Sequence, residues 1–274
     1  MCDLDGCGTN DDLPPLVVPD GQRRDFIKGL ISLPVAAVLA DPVLAAAAAG
    51  RGEMTTLATP GGTAASGYLA LPKAENAPAI VLVHEWWGLN DQIKAVANEL
   101  AEKGYIAFAI DLYGGRVARS SGRARALMGA VNAERANGQL ATAIGALRKH
   151  RQANGRVGTV GWCFGGGWSL SASLVAPVDA TVIYYGIVDA PASELKKLKG
   201  PVLGHFATLD NFINGKMVAG FERQMAKAGK RDRLTVYWYR ANHAFANPTS
   251  ARYDAADARL AWQRTLAFFA NNLS

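Results

Sequence analysis

The chain has 274 residues, of which 50% are hydrophobic and 19% charged, with a formal net charge of +6. That balance sustains a packed globular core and excludes an intrinsically disordered or collagen-like chain. No run of lysine and arginine interleaved with aromatic residues occurs, so the signature of a nucleic-acid binder is absent.

Charge is divided unevenly along the chain. Residues 1–49 hold three basic and seven acidic side chains, which leaves 26 basic against 16 acidic, or +10, in residues 50–274. A surface of that sign attracts anions, whether acidic substrates or a membrane face, or is simply solvated. Within the first segment, Gln22-Arg23-Arg24-Asp25-Phe26-Ile27-Lys28 precedes a moderately apolar stretch, 29–39, and a small-residue run, 44–49. This is a positive n-region, a short h-region and an alanine-rich cleavage zone. It resembles the bacterial twin-arginine export signal. Pro34, Asp41 and Pro42 interrupt the apolar part, which falls short of the roughly 20 residues a membrane span needs. Residues 1–49 are therefore read as a signal peptide handed to the twin-arginine machinery. The mature protein is expected in the periplasm, without a stable membrane span after cleavage. Cys2 and Cys7 would depart with the signal, leaving Cys163 alone and no internal disulfide possible.

From residue 53 the pattern predicts a strand pair at 55–58 and 64–71, then alternating strands and helices. The continuous apolar run 79–84 reads as a strand buried on both faces of a parallel sheet. Asp91 is the expected cap of a helix reaching Lys103, and Gly104 its terminator. Residues 105–110 form the next strand. Residues 112–131, rich in Gly and Arg, read as a loop with a short helix. Further helices are expected at 133–150, 165–175, 215–228 and 254–271, and further strands at 156–160, 180–185, 202–207 and 234–239. Alternation of this kind specifies α/β class: one domain over 50–274, a mainly parallel sheet with helices on both faces.

One motif carries chemistry. Gly161-Trp162-Cys163-Phe164-Gly165-Gly166 joins a strand to a helix. This is the nucleophile elbow, Gly-x-Nuc-x-Gly, with a thiol in place of the commoner hydroxyl. Glycines two positions either side let the crossing backbones approach. The helix that follows aims free N–H groups at the sulfur, favouring thiolate and a developing oxyanion. A thiol nucleophile needs a base, and the base an orienting carboxylate. Of the four histidines, His243 alone lies in a loop after a strand; His84 and His205 sit in or at the end of strands, and His150 ends a helix. Asp210 falls between Cys163 and His243 just past a strand, which completes the nucleophile–acid–histidine chain order of α/β hydrolases.

With those residues in place, the chain from about residue 53 onward resembles the dienelactone hydrolase (carboxymethylenebutenolidase) family of the α/β-hydrolase fold. The matching stretches are His84-Glu85-Trp86-Trp87-Gly88-Leu89, Asp111-Leu112-Tyr113, the elbow, Tyr184-Tyr185-Gly186, Asp210 and His243-Ala244-Phe245. The resemblance implies a Cys163–His243–Asp210 triad that hydrolyses a small ester or lactone through a thioester. It implies that Glu85 approaches the sulfur and helps strip its proton, and that the backbone N–H groups of Phe164 and Trp86 hold the oxyanion. Trp86 and Trp87 are expected to line a pocket for a flat ring. Members specific for dienelactone hold the substrate carboxylate with two arginines. Arg116 is the nearest match to the first, while the second position is Asn247, which is uncharged and cannot form a bidentate ion pair; Arg119 and Arg252 are the possible substitutes. No metal-ligand spacing is visible and the chemistry requires no cofactor. The alternatives are a broad-specificity carboxylesterase, or a non-catalytic binding or thiol-sensing protein on the same fold.

Overall fold

The computed structural model describes residues 50–274, so the expected signal segment lies outside the described residues. In chain order the elements are β1 (Glu53–Leu57), β2 (Ala65–Ala70), β3 (Ala77–Val83), α1 (Asp91–Glu102), β4 (Ile106–Ile110), α2 (Ser121–Gly129), α3 (Ala133–Arg148), β5 (Ala153–Trp162), α4 (Phe164–Val175), β6 (Ala180–Tyr184), the single turn α5 (Ala192–Leu195), β7 (Val202–Ala207), α6 (Gly215–Lys227), a 3-10 turn (Arg231–Arg233), β8 (Leu234–Tyr239) and α7 (Ala255–Leu273). The eight strands form one sheet in the order β1-β2-β4-β3-β5-β6-β7-β8. The β1–β2 and β2–β4 pairs are antiparallel and every other pair is parallel. This is the expected entry pair followed by a parallel sheet, and it is the α/β-hydrolase architecture in a single domain.

The apolar runs explain the centre of the sheet. Ile80, Val81, Leu82 and Val83 of β3, and all five residues of β4, are fully buried, because helices cover both faces. Each Val, Leu, Ile or Phe among them stabilises the fold by about 1.5–3 kcal/mol relative to exposure. The turn α5 is not predicted by the pattern, β1 and β3 each start two residues early, and two further departures have a clear local cause. The cap of α1 is Asn90, whose side chain accepts the Ile93 N–H at 3.1 Å, and Asp91 is the first helical residue instead. Both types suit a cap; Asp91 then adds negative charge to the first turn, where the helix dipole favours it. Strand β5 begins at Ala153, three residues early, because Ala77 on β3 pairs with Ala153 before the register shifts to Ala79–Val157. Among the described residues no helix is long and apolar enough to cross a membrane.

Candidate active site

The C-terminal ends of the parallel strands converge on Cys163. It sits between β5 and α4 with φ 54° and ψ −116°, a conformation an L side chain rarely adopts. Its N–H donates to the Tyr184 carbonyl at 3.0 Å, and its carbonyl accepts from Gly166 N–H at 3.0 Å. Strain of this kind persists only where surrounding structure fixes it. The glycines are dictated by close approach: a Cβ on Gly161 would meet the Gly165 carbonyl oxygen at 2.0 Å, and one on Gly165 would meet that of Val83 at 2.2 Å.

The distant histidine reaches the sulfur. His243 Nε2 lies 3.2 Å from Cys163 Sγ, and His243 Nδ1 lies 2.7 Å from Asp210 Oδ2. His243 and Asp210 are both buried and Cys163 is half-buried. Two backbone bonds hold the acid loop to the histidine loop: Thr208 N–H to the Tyr239 carbonyl at 2.8 Å and Leu209 N–H to that of Ala241 at 3.0 Å. The other Asp210 oxygen, Oδ1, accepts the amides of Phe212 at 2.8 Å and Ile213 at 3.0 Å. Burial pushes the Asp210 carboxyl upward, but His243 and these two amides outweigh it and hold it below the usual carboxylate range. An ionised Asp210 accepts from Nδ1–H, which leaves Nε2 with its lone pair facing the sulfur. Phe164 opens α4, where first-turn N–H groups have no helical acceptor.

Glu85, just past β3, is buried. Its Oε1 accepts the Tyr185 hydroxyl at 3.2 Å and its Oε2 accepts Asn247 Nδ2 at 2.5 Å. Tyr185 was matched as part of a motif, yet only the structure brings out its position: it carries a positive φ of 35° and packs edge-on against His243, with ring centroids 5.2 Å apart. The signal available in the sequence was a tyrosine directly past a strand end, beside the nucleophile's strand.

Four residues expected to contact substrate make other contacts in this structure. Trp86 and Trp87 are only 2% and 7% exposed and pack against each other in the core. Their loop turns inward at Gly88, φ 97°, where a Cβ would meet the Arg116 carbonyl oxygen at 2.5 Å, and Tyr113 OH donates to the Trp86 carbonyl at 3.1 Å. Arg116 is exposed and its Nε folds back onto the Tyr113 carbonyl at 2.7 Å. Asn247 is buried; while Nδ2 serves Glu85, its Oδ1 accepts from Gln92 Nε2, Thr249 N–H and Thr249 OH at 2.8–3.0 Å. His84 and His205 are structural. His84 Nδ1–H donates to the Glu85 carbonyl at 2.6 Å and Nε2 accepts Leu112 N–H at 3.3 Å, joining two loops. Burial lowers its pKa, so it is neutral at pH 7.

Two cavities flank Tyr185. The first, about 470 Å³, contains Cys163 and His243 and is walled by Met128, Trp168, Leu174, Ile187 and Phe212. No Arg or Lys lines it, and Asp189 is its single charge. Arg116, Arg119, Arg252 and Asn247 are not on its wall. The second, about 360 Å³, contains Glu85 and Asn247 and lies between α1 and α7. No group of three His, Cys, Asp or Glu able to hold a metal occurs among the described residues. The arrangement at Cys163 can deliver a sulfur nucleophile and a proton acceptor to a carbonyl carbon in a largely apolar cavity.

Comparison with known proteins identifies the chain's relatives. The model of the dienelactone hydrolase family matches residues 65–273. A carboxymethylenebutenolidase of Pseudomonas putida is 32% identical over 212 residues, covering 73% of this chain and 88% of the relative. Protein usf of Aquifex pyrophilus is 30% identical over 223 residues, covering 78% and 96%. A putative dienelactone hydrolase from Klebsiella pneumoniae superposes with a TM-score of 0.71 at 24% identity, covering 80% and 98%, which bears on the fold alone.

Proposed function

Because the chain belongs to the dienelactone hydrolase family, we propose that it hydrolyses small esters or lactones through a thioester on Cys163. The 3.2 Å and 2.7 Å contacts that join sulfur, imidazole and carboxylate carry this reading. In the first half, His243 Nε2 takes the thiol proton and Sγ attacks the carbonyl carbon. The oxyanion forms opposite the N–H groups of Phe164 and Trp86; a donor of this type is worth about 2.7–4 kcal/mol in the transition state. Collapse expels the alkoxide, which takes the proton from His243, and leaves the acyl group on sulfur. In the second half, His243 removes a proton from water, hydroxide adds to the thioester, and collapse releases the acid while the thiol regains its proton. Asp210 stabilises the imidazolium in both halves. Glu85 assists thiol deprotonation. It starts from hydrogen bonds to Tyr185 and Asn247, so this help requires those bonds to exchange as substrate enters.

The walls of the cysteine cavity favour an uncharged acyl group. An anionic substrate would meet Asp189 and no cation there, so a neutral ester or lactone is the better fit than a carboxylate-bearing one. Residues 1–49 serve as a twin-arginine export signal in this reading and deliver the folded enzyme to the periplasm. The test is turnover of p-nitrophenyl acetate by wild type, Cys163→Ala and His243→Ala. Turnover by wild type alone supports the proposal. Rates equal to buffer for all three, across neutral esters and lactones, would refute it.

A further inference from the structure

The second cavity has the features of a ligand site of its own. One wall is a single face of α1, presenting Gln92, Ile93, Val96 and Glu99 at helical spacing. The opposite wall is one face of α7, with Ala255, Ala258, Trp262 and Leu266. Its floor is aromatic. Trp162, at the end of β5, stacks on Tyr184 with centroids 5.5 Å apart and lies 6.5 Å from Trp262. A volume of about 360 Å³ is within the usual range for small-molecule sites.

One polar group in this cavity is incompletely served. The Glu99 side chain is 91% buried, at 9% relative exposure. Its Oε1 accepts Trp262 Nε1–H at 2.8 Å and lies 3.7 Å from Lys103 Nζ. Its Oε2 is buried with no hydrogen-bond partner. A buried carboxylate oxygen in that state is costly, and a ligand that completes it gains the difference. Burial raises the Glu99 pKa, ahead of the opposing effects of Trp262 and Lys103. A hydroxyl suits either state of the group, because it can donate to a carboxylate and accept from a carboxylic acid. An ammonium does not suit it, since Lys103 and Arg259 also line the cavity.

We propose that the cleft between α1 and α7 is a second binding site, distinct from the cysteine cavity, for a hydroxylated aromatic ring of the phenol class. The ring packs on the half-buried Trp262 above Trp162, and its hydroxyl meets Glu99 Oε2, which a turn of that side chain must first uncover. The site also contains Glu85, hydrogen-bonded to Tyr185, so occupancy is felt at the residue held beside the proposed machinery. The binding claim stands independently of hydrolysis.

The test is titration of the wild-type protein with phenol and with anisole, which keeps the ring but cannot donate, read by calorimetry and tryptophan quenching. Phenol is expected to bind saturably and about tenfold or more tighter than anisole, the effect of one buried hydrogen bond. Glu99→Leu is expected to erase that preference. Ala258→Trp, which fills the cleft, is expected to weaken phenol at least tenfold with an unchanged melting temperature, while Ile187→Trp in the cysteine cavity leaves binding intact. If Ala258→Trp fails to fold, Leu266→Phe takes its place. Absence of saturable binding, equal affinity for the two rings, or phenol displaced by Ile187→Trp rather than by the cleft variants overturns the proposal. Wild-type protein separates the two claims: if it hydrolyses no ester or lactone yet binds phenol in the cleft, the hydrolase reading fails and this one stands, and an active hydrolase that binds no phenol gives the reverse.

Discussion

Asp210→Asn tests the electrostatic logic of the site at one atom. In the native protein Oδ1 is claimed by two backbone donors, Phe212 and Ile213 N–H, and Oδ2 by His243 Nδ1 at 2.7 Å. Asparagine has one acceptor oxygen and one donor nitrogen. The two amides require the oxygen, so the NH2 group is forced to face His243. Nδ1 must then accept, and the proton moves to Nε2, where it points at the sulfur instead of away from it. The imidazole can no longer take the thiol proton. General-base catalysis is worth about 10²–10⁴-fold, and that is the expected loss in kcat/KM. Because His243 and Asp210 are only 3% and 4% exposed, water does not restore the tautomer. KM should change little, since Asp210 lines neither cavity. The assay is steady-state hydrolysis of p-nitrophenyl acetate, with the melting temperature as the control for folding. A variant with wild-type kcat/KM, or with the whole loss in KM, would refute the reasoning.

Three further outcomes are expected. Cys163→Gly relieves the positive φ at the elbow, so it should stabilise the protein by about 1 kcal/mol, or about 2–4 °C in Tm for a domain of this size, while abolishing hydrolysis; a Tm below wild type contradicts the strain. His205 is buried between Tyr239 OH and Thr265 OH, and burial, aided by Arg264, lowers its pKa from 6.5 to about 3. Its folded pKa is depressed, so between those values the unfolded chain holds a proton the folded chain lacks. Stability should therefore be lost as pH is lowered through that window, by about 1.4 kcal/mol per unit from this one group; urea titrations showing flat stability from pH 6.5 to 4 would contradict it. Replacing Arg23 and Arg24 by Lys should retain the protein in the cytoplasm, as read by cell fractionation, and unchanged export would refute the signal reading.

The sheet was legible because its central strands are unbroken apolar runs, and periodicity reports burial on both faces directly. The early start of β5 was not, because Ala153-Asn154-Gly155 reads as a turn and is drawn into the sheet by pairing with β3. Cys163, Asp210 and His243 were legible from chain order and strand-end placement, which the parallel topology converts into proximity. Side-chain direction was not. Trp86, Trp87 and Arg116 sit on the expected loops, but Gly88 and Tyr113 turn the tryptophans inward, and a backbone carbonyl captures the arginine. Asn247 stands where the resemblance leads to an arginine, and its hold on Glu85 depends on a contact 162 residues away in sequence. Likewise the α1–α7 cleft exists only because two helical faces distant in sequence oppose each other.

The central claim is a covalent bond between substrate acyl group and one sulfur. Rapid acid quench of the enzyme with p-nitrophenyl acetate, followed by mass spectrometry of the intact protein and its peptides, tests it most directly. An acetyl group on the peptide containing Cys163, absent in Cys163→Ala and accumulating in a variant slowed in deacylation, is the predicted result. Hydrolysis at full rate with an unmodified Cys163, or in the Cys163→Ala protein, would contradict the account.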